Sequence, residues 1–240
     1  MRLLEFDEID STNLEARRMA ENGDFGPLWI TAKRQSGGKG RRGREWVSKT
    51  GNLFCTGLFP HNGTPASAAQ LSFAAALAVH ETVSYFRPDA DTKIKWPNDV
   101  LLGGAKISGI LLESGTTNDQ IWVAVGIGIN IVSAPDNTEF PAICLTADTP
   151  LKQHPYLPDV KKKLFERFEF WLETYNRNGF EPLRTAWLKN AQGMGGPVTA
   201  RLPNETIDGT AIGMDKDGAL EVKTHCGQTV KIHAGDVFFS

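Results

Sequence analysis

Residues 121–131 read IWVAVGIGINI, and apolar side chains recur there at every second position. This period of two predicts a β-strand. One face of that strand carries only branched aliphatic residues, namely Ile121, Val123, Val125, Ile127, Ile129 and Ile131. The other face carries Trp122, Ala124, Gly126, Gly128 and Asn130. Because glycine weakens a strand, its use here indicates that a ligand or another strand lies close against the backbone.

The segments before this strand alternate between strand and helix patterns. Strands are predicted at residues 28–32, 52–59 and 93–96, and a hairpin is predicted from 100–102 and 107–113 around Gly103-Gly104. Helices are predicted at residues 12–20, 64–86 and 159–178, the first with a capping box formed by Thr12 and Glu15. Helices mixed with antiparallel-looking strands predict an α+β fold.

The pattern of apolar and turn residues changes after Gly195-Gly196-Pro197. Short apolar runs alternate there with turn residues such as Asp217-Gly218. This pattern predicts a small all-β module, too short to be very stable unless it packs on the rest of the chain. We therefore divide the chain into residues 1–192 and 193–240.

Composition excludes several classes of protein. The net charge is −2, which argues against overall nucleic-acid or membrane-surface binding. The N-terminus lacks the apolar core of a signal peptide, and the longest apolar stretch, near residues 71–79, is far shorter than the roughly 20 residues of a membrane span. Three widely spaced cysteines fit neither a disulfide scaffold nor a zinc site, and the five histidines show no metal-ligand spacing. A cytoplasmic location is expected.

A glycine-rich basic segment at residues 33–44 is the first candidate site. Its six cations are Lys33, Arg34, Lys39, Arg41, Arg42 and Arg44, with no acid among them. The segment is either a solvated basic loop or a binding site for phosphate, which cations and closely approaching glycine backbone favour. Nucleic-acid binding with Trp46 as a stacking platform is a further alternative. The rest of the chain has 20 of the 26 cations against 28 acids, which favours a small anionic ligand.

Two familiar phosphate motifs match this segment poorly. The spacing Gly38-x-Gly40-x-x-Gly43 fits a dinucleotide fingerprint, but no obvious helix follows Gly43. A P-loop needs Ser or Thr after Gly-Lys, whereas Lys39 is followed by Gly40.

The second candidate site is KWPNDV, residues 95–100. Asn98 and Asp99 are either ordinary turn residues or oxygen ligands of a Mg²⁺–phosphate unit. Lys106, at the start of an apolar strand, either reaches out to water or places its charge on a ligand. No Ser/His/Asp set is evident, so an enzyme of this sequence would act by electrostatic positioning.

Taken together, these segments resemble the catalytic unit of the biotin protein ligases. The matching segments, in chain order, are STN at 11–13, QSGGKGRRGREW at 35–46, KWPND at 95–99, KISGIL at 106–111, GIGIN at 126–130 and AGDV at 234–237. The resemblance implies a biotinyl/lipoyl-ligase α+β domain, similar to class II aminoacyl-tRNA synthetases, followed by an SH3-like β-barrel. It also implies that biotin and MgATP form biotinyl-5′-AMP, and that biotin then passes to a lysine of a biotin carboxyl carrier protein.

Individual roles follow from the same resemblance. It assigns biotin contacts to Ser11, Thr12, Asn13, Gln35, Gly38, Lys39, Gly40, Arg41, Lys106, Gly109 and Gly126. It assigns ATP contacts to Arg41, Arg42, Arg44, Trp46, Asn98, Asp99, Lys106 and Asn130, with Asp99 also near the metal. Lys106 and Arg41 are the expected catalytic residues, Lys106 beside the biotin carboxylate and the α-phosphate.

One departure concerns the basic segment. The family loop reads Gly-Arg-Gly-Arg-Arg-Gly, and Lys39 here replaces the first arginine, which keeps the charge but loses the planar guanidinium. Retention of the adenylate is the property this change would alter.

Other expectations concern partners and rival functions. The match begins by residue 11, so no DNA-binding module and no repressor activity are expected; a homodimer stays possible. The alternatives are a lipoate or octanoate ligase on the same fold, against which the polar Ser-Thr-Asn and Gln cluster argues, and a non-enzymatic nucleotide-binding module.

Overall fold

The computed structural model describes residues 1–136, 138, 140–149 and 154–239. The strands are β1 (Arg2–Ile9), β2 (Leu28–Gln35), β3 (Leu53–His61), β4 (Thr92–Lys95), β5 (Asp99–Leu102), β6 (Ala105–Thr117), β7 (Gln120–Ile129), β8 (Pro197–Arg201), β9 (Thr206–Met214), β10 (Leu220–Thr224), β11 (Thr229–Ile232) and β12 (Asp236–Phe239). The helices are α1 (Thr12–Glu21), α2 (Pro65–Ala69), α3 (Leu71–Phe86), α4 (Leu157–Asn178) and α5 (Glu181–Lys189), with a short 3₁₀ turn at Arg41–Gly43.

A seven-stranded sheet forms the main body, in the order β1-β2-β3-β7-β6-β5-β4. Only the β1–β2 pair is parallel, and the other neighbours pair antiparallel. The strand at residues 121–131, predicted from its alternation, is β7 at the centre of this sheet. The predicted α+β class is confirmed.

The two faces of the sheet are covered differently. The aliphatic face of β7 packs in the main core with helices α3, α4 and α5. The opposite face packs α1 through Ala16 and Ala20 against Leu58, Trp122 and Ala124. Helix α1 covers only one end of that face, and beyond Ala124 the small residues of β7 leave room for a cavity.

Most element boundaries differ from the sequence predictions by a few residues, and three differences affect the interpretation. Strand β2 continues to Gln35, because it pairs with β1 along its whole length, so Lys33 and Arg34 are not part of the loop. Thr12 and Glu15 do not form a capping box, since Ser11 is the N-cap and makes no side-chain cap bond. The predicted helix at 64–86 begins with a capping box at Thr64 and is interrupted at Gln70.

The C-terminal module is a five-stranded antiparallel sheet in the order β11-β10-β9-β8-β12. Its apolar residues, including Val198 and Leu220, belong to the same core cluster as the main body. Arg184 of α5 donates to the carbonyl oxygen of Met214 at 2.7 Å. The module is therefore stabilised by the body, as its small size requires. The division at residue 193 stays a prediction.

Among the described residues, no helix is both long enough and apolar enough to cross a membrane.

Candidate active site

A cavity of about 280 Å³ opens on the face of the sheet beyond α1. Fifteen of the seventeen residues predicted for the site line it, namely Ser11, Thr12, Asn13, Gln35, Lys39, Gly40, Arg41, Arg44, Trp46, Asn98, Asp99, Lys106, Gly109, Gly126 and Asn130. Gly38 and Arg42 do not line the cavity but lie in the segment that covers it. The fold thus brings together segments that are separated by more than a hundred residues in the chain.

The inner end of the cavity is polar, and its side chains hydrogen-bond to one another and to the sheet. Thr12 donates from its backbone N to Gln35 Oε1 at 2.8 Å and from its hydroxyl to the same oxygen at 3.1 Å. Asn13 Nδ2 donates to Glu113 Oε2 at 2.8 Å and to the carbonyl oxygen of Leu111 at 3.2 Å. The start of α1 places both side chains here, since Ser11, Thr12 and Asn13 are buried against the sheet.

Thr56 of β3 completes this polar cluster, and the sequence analysis missed it. Its Oγ1 lies 2.8 Å from Thr12 Oγ1 and 2.7 Å from Asn13 Oδ1, and its side chain is fully buried. Threonine is a common strand residue, so its type gave little signal. The one available sign was a hydroxyl residue inside an otherwise apolar strand.

The floor of the cavity is the glycine-rich side of β6 and β7. Gly109 pairs directly with Gly128 across the two strands. A Cβ added at Gly126 would lie 2.0 Å from Asn13 Oδ1, and one added at Gly128 would lie 2.5 Å from the indole of Trp46. Because real Cβ atoms never come so close, the strand must carry glycine for Asn13 and Trp46 to lie against it. The close neighbour predicted from the glycines is therefore, in this structure, a pair of side chains.

Lys106 lies at the edge of this floor. The register of β5 and β6 shifts between Val100 and Leu101, and this irregularity is a β-bulge of the kind that redirects side chains next to active sites. The ammonium of Lys106 lies 2.8 Å from Asp99 Oδ1 and 5.7 Å from the Trp46 ring centroid. Both partners of the ion pair are largely buried, with the Lys106 side chain 29% and the Asp99 side chain 17% exposed. Lys106 therefore lines the cavity, in agreement with the prediction that it places its charge on a ligand and not with the alternative that it reaches out to water.

Residues 38–46, called here the basic hairpin, cover the cavity. Trp46 N donates to the Gly38 oxygen at 2.9 Å and Gly40 N donates to the Arg44 oxygen at 2.7 Å. The turn at its tip places Arg42 at a φ of 56°. No helix follows Gly43, in agreement with the rejection of a dinucleotide fingerprint.

The six cations of the predicted basic loop separate into two groups. Lys33 and Arg34 form ion pairs with Asp7 and Glu8 of β1, on the surface away from the cavity. Arg41 extends across the cavity and donates to Asn98 Oδ1 at 3.0 Å. Burial is the main cause that lowers the pKa of Arg41 below its usual value. The prediction of a single six-cation site was therefore wrong for the first two residues, because β1 supplies acids that lie far away in sequence.

Asn98 connects the basic hairpin to the floor. Its Nδ2 donates to the carbonyl oxygen of Ile110 at 2.6 Å while its Oδ1 accepts from Arg41. Trp96 of the same motif is buried, and its indole N–H donates to the carbonyl oxygen of Gly218 in the C-terminal module at 3.1 Å. The peptide between Trp96 and Pro97 is cis.

The C-terminal module supplies a wall that the sequence analysis did not assign to the site. Gly235, Asp236 and Val237 line the cavity. Asp236 Oδ2 accepts from Arg42 and from Arg44, each at 2.8 Å. Nothing local in the sequence could have found these contacts, since the partners are more than 190 residues apart.

A cavity with a polar inner end, a flat glycine floor, one directed lysine and a basic cover suits an acid with a polar head group that is joined to a nucleotide phosphate. Residues 5–130 match the family model described as the biotin/lipoate A/B protein ligase family, and residues 194–240 match the biotin protein ligase C terminal domain. The chain belongs to the biotin/lipoate A/B protein ligase family.

Individual relatives narrow this class to the biotin protein ligases. The chain is 41% identical over 238 residues to a biotin–[acetyl-CoA-carboxylase] ligase of Paracoccus denitrificans, covering 96% of this chain and 97% of the relative. It is 32% identical to a bifunctional ligase/repressor of Bacillus subtilis, covering 98% of this chain and 73% of the relative. A biotin protein ligase of Aquifex aeolicus solved with biotin and ATP superposes with a TM-score of 0.82 at 27% identity, covering 100% of this chain and 99% of that structure.

Proposed function

We propose that this protein is an ATP-dependent ligase that forms biotinyl-5′-AMP from biotin and ATP and then transfers biotin to a lysine of a carrier protein. The observation that carries this proposal is the position of Lys106. Its ammonium lines the same cavity as the polar inner end and lies 5.7 Å from the ring centroid of Trp46 in the basic hairpin. A cation in that position can interact both with a carboxylate bound in the cavity and with a phosphate held by the hairpin.

The inner end would hold the polar head group of biotin. Thr12, Asn13 and Gln35 present hydroxyl and amide groups whose orientation is already fixed by the bonds to Thr56, Glu113 and one another. A ring that carries both N–H and C=O groups can hydrogen-bond with such a set, whereas a purely aliphatic chain offers it no donor or acceptor. Ser11 and the glycines Gly40, Gly109 and Gly126 would complete the walls around it, and Gly38 belongs to the segment that covers it.

The first step would join the two substrates. An oxygen of the biotin carboxylate attacks the α-phosphorus of ATP, the bond to the bridging oxygen breaks, and pyrophosphate leaves. Negative charge grows on the phosphate oxygens, and Lys106 and Arg41 are placed to stabilise it. Trp46 and Asn130 would flank the adenine, and Arg44 would lie toward the phosphates with Arg42 beside it in the hairpin. Lys39 would contact biotin.

The second step needs no nucleophile from this chain. The ε-amine of the carrier lysine attacks the acyl carbon of the mixed anhydride, an amide forms, and AMP leaves. The enzyme contributes by holding the acyl carbon in place and by excluding water until the carrier arrives. The expected acceptor is the carrier domain of a biotin-dependent carboxylase, such as the acetyl-CoA carboxylase in the name of the Paracoccus relative.

The residues present also fit a magnesium ion that arrives with the nucleotide. Asp99 and Asn98 offer one carboxylate and one amide oxygen, and no cluster of three or more His, Cys, Asp or Glu occurs among the described residues. Mg²⁺ typically binds one or two carboxylates together with substrate phosphates, which agrees with this sparse set. When bound, the ion would neutralise charge on the phosphates; Asp99, paired with Lys106 here, would be its nearest carboxylate.

Biotin-dependent exchange between pyrophosphate and ATP, measured without carrier, tests the proposal. We expect exchange with biotin and none with lipoate or octanoate. Exchange with only lipoate or octanoate would agree with the family but contradict biotin as the substrate. No exchange with any of the acids would favour a non-enzymatic nucleotide-binding module. Transfer is then measured by mass spectrometry as biotinylation of a carrier domain. A homodimer and a cytoplasmic location remain predictions from the sequence.

A further inference from the structure

Among the residues that the structure describes, the C-terminal module contacts the basic hairpin through the carboxylate of Asp236. Asp236, the first residue of β12, accepts from Arg42 and Arg44 through the same oxygen, Oδ2. The Asp236 side chain is 22% exposed, and those of Arg42 and Arg44 are 40% and 52% exposed. The carboxylate is thus the most buried member of the set and is fixed on a strand, whereas the two arginines belong to a loop.

The hairpin is therefore held from two sides. On the main body, Arg41 donates to Asn98 Oδ1, which is itself tied to β6 through Ile110. On the C-terminal module, Arg42 and Arg44 meet Asp236. Three arginines within four residues repel one another, and a carboxylate between two of them offsets that repulsion.

Two roles of Asp236 are physically distinct. It could compete with substrate phosphates for the arginines, in which case its removal would strengthen ATP binding. Alternatively, it could hold the hairpin down while the cavity is occupied. Arg42 favours the second role, because Arg42 does not line the cavity and can stay paired with Asp236 when a ligand is bound.

We propose that Asp236 is a positioning residue that fastens the basic hairpin over the cavity, so that the C-terminal module slows release of the adenylate. The slow release of the adenylate rests on the proposed function, but the contact between Asp236 and the hairpin exists in the chain without ligand. The contact and the release can therefore be tested separately.

Trypsin cleavage of the ligand-free protein tests the fastening. Trypsin cuts after lysine and arginine, and cleavage in a loop follows the population of its open form when reclosing is fast. Because exposed ion pairs are individually weak, we expect Asp236→Asn to speed cleavage at Arg41, Arg42 and Arg44 by roughly fivefold. Asp208→Asn, the same change in the same module at a residue bonded to Thr199, should cleave like the wild type. Equal rates for the wild type and Asp236→Asn, or an equal increase at sites throughout the chain, would overturn the fastening.

Release of the adenylate tests the consequence. Preformed biotinyl-adenylate is chased with excess unlabelled biotin and ATP, and the bound label is followed by filter binding. Asp236→Asn should release the label severalfold faster, with a smaller change in the rate of its formation, and Asp236→Glu should restore much of the retention. In a variant in which Arg42 and Arg44 are both replaced by Gln, the further change Asp236→Asn should increase the release rate little.

The outcomes distinguish the two hypotheses. A lower KM for ATP with unchanged release in Asp236→Asn would identify a competitor for phosphate and overturn the proposal. If the wild type forms no adenylate, the proposed function fails, and the trypsin result still decides whether Asp236 fastens the hairpin.

Discussion

The floor and the cover of the cavity are built in different ways. The floor consists of neighbouring central strands, in which Gly109 and Gly128 are paired by backbone hydrogen bonds and backed by a buried aliphatic layer. The cover, the basic hairpin, shows three backbone bonds of its own among the described residues, and it is held to the rest of the molecule by arginine side chains and by Trp46 packed on the floor. The paired strands therefore fix the positions of the residues that bind the substrates, whereas side-chain contacts that can break and re-form hold the hairpin over the cavity. Changes in the floor should alter chemistry and binding, whereas changes in the cover should alter retention.

The largest effect should come from Lys106, at the edge of the floor. Lys106→Ala removes the cation placed where charge grows in the transition state, so kcat for adenylation should fall by about 10²–10³-fold. The Kd for biotin should change far less, because the charge is needed mainly in the transition state. Single-turnover adenylation and biotin titration check this. Lys93→Ala, which removes a partly exposed lysine of strand β4 in the same sheet, is the matched control. Equal losses in binding and rate would make Lys106 a binding residue only.

The next effect concerns the floor itself. Gly126→Ala would place a methyl group 2.0 Å from Asn13 Oδ1, so Asn13 must leave its bonds to Glu113 and Leu111. Overpacking of this kind costs about 1–3 kcal/mol, and biotin binding should weaken by at least about tenfold. Calorimetric titration and thermal unfolding measure both quantities. Gly213→Ala, in strand β9, is the control, since the nearest atom there is 3.6 Å away. Unchanged biotin affinity in Gly126→Ala would show that Asn13 does not contact biotin.

A change in the cover should separate retention from chemistry. Arg41→Ala breaks the bond to Asn98 and so removes one attachment of the hairpin to the main body. We expect the adenylate to escape roughly tenfold faster, and more unattached biotinyl-adenylate to appear in solution. Arg34→Ala controls for loss of an arginine, because Arg34 pairs with Glu8 outside the cavity. If Arg41→Ala slows adenylation but keeps the adenylate as the wild type does, the distinction between floor and cover fails.

The smallest effect lies in the layer behind the floor. His80 of α3 hydrogen-bonds through Nε2 to the carbonyl oxygen of Thr92, and burial lowers its pKa below the usual 6.5. The folded state thus favours neutral His80, so the free energy of unfolding should fall as pH drops through about 6.5 toward the lower folded pKa. Urea unfolding at several pH values measures this slope. His80→Gln should reduce the slope, and exposed His225→Gln is the control. A slope unaffected by His80→Gln would assign the pH dependence to other groups.

The floor was far easier to predict from the sequence than the cover. The alternation at residues 121–131 follows from local geometry, so it identified β7 and its glycine face directly. Lys33 and Arg34 were misassigned because their partners, Asp7 and Glu8, are brought alongside by strand pairing. Asp236 lay beyond any local pattern, since its contacts depend on how the C-terminal sheet docks. Contacts between side chains of distant segments depend on the tertiary fold, so the periodicity of the sequence does not predict them.

The bond from Trp96 to Gly218 also bears on when the enzyme becomes competent during its synthesis. Protein chains emerge N-terminal end first, and domains generally fold as they appear. Residues 95–99 and the floor emerge long before the carbonyl oxygen that accepts from Trp96 and the carboxylate that meets Arg42. A nascent chain stopped short of residue 218 therefore has the lysine and the glycine floor but lacks the acceptor for Trp96 and the carboxylate that meets the hairpin. We therefore expect the ligase to become ready for its substrates only when the last small sheet is complete.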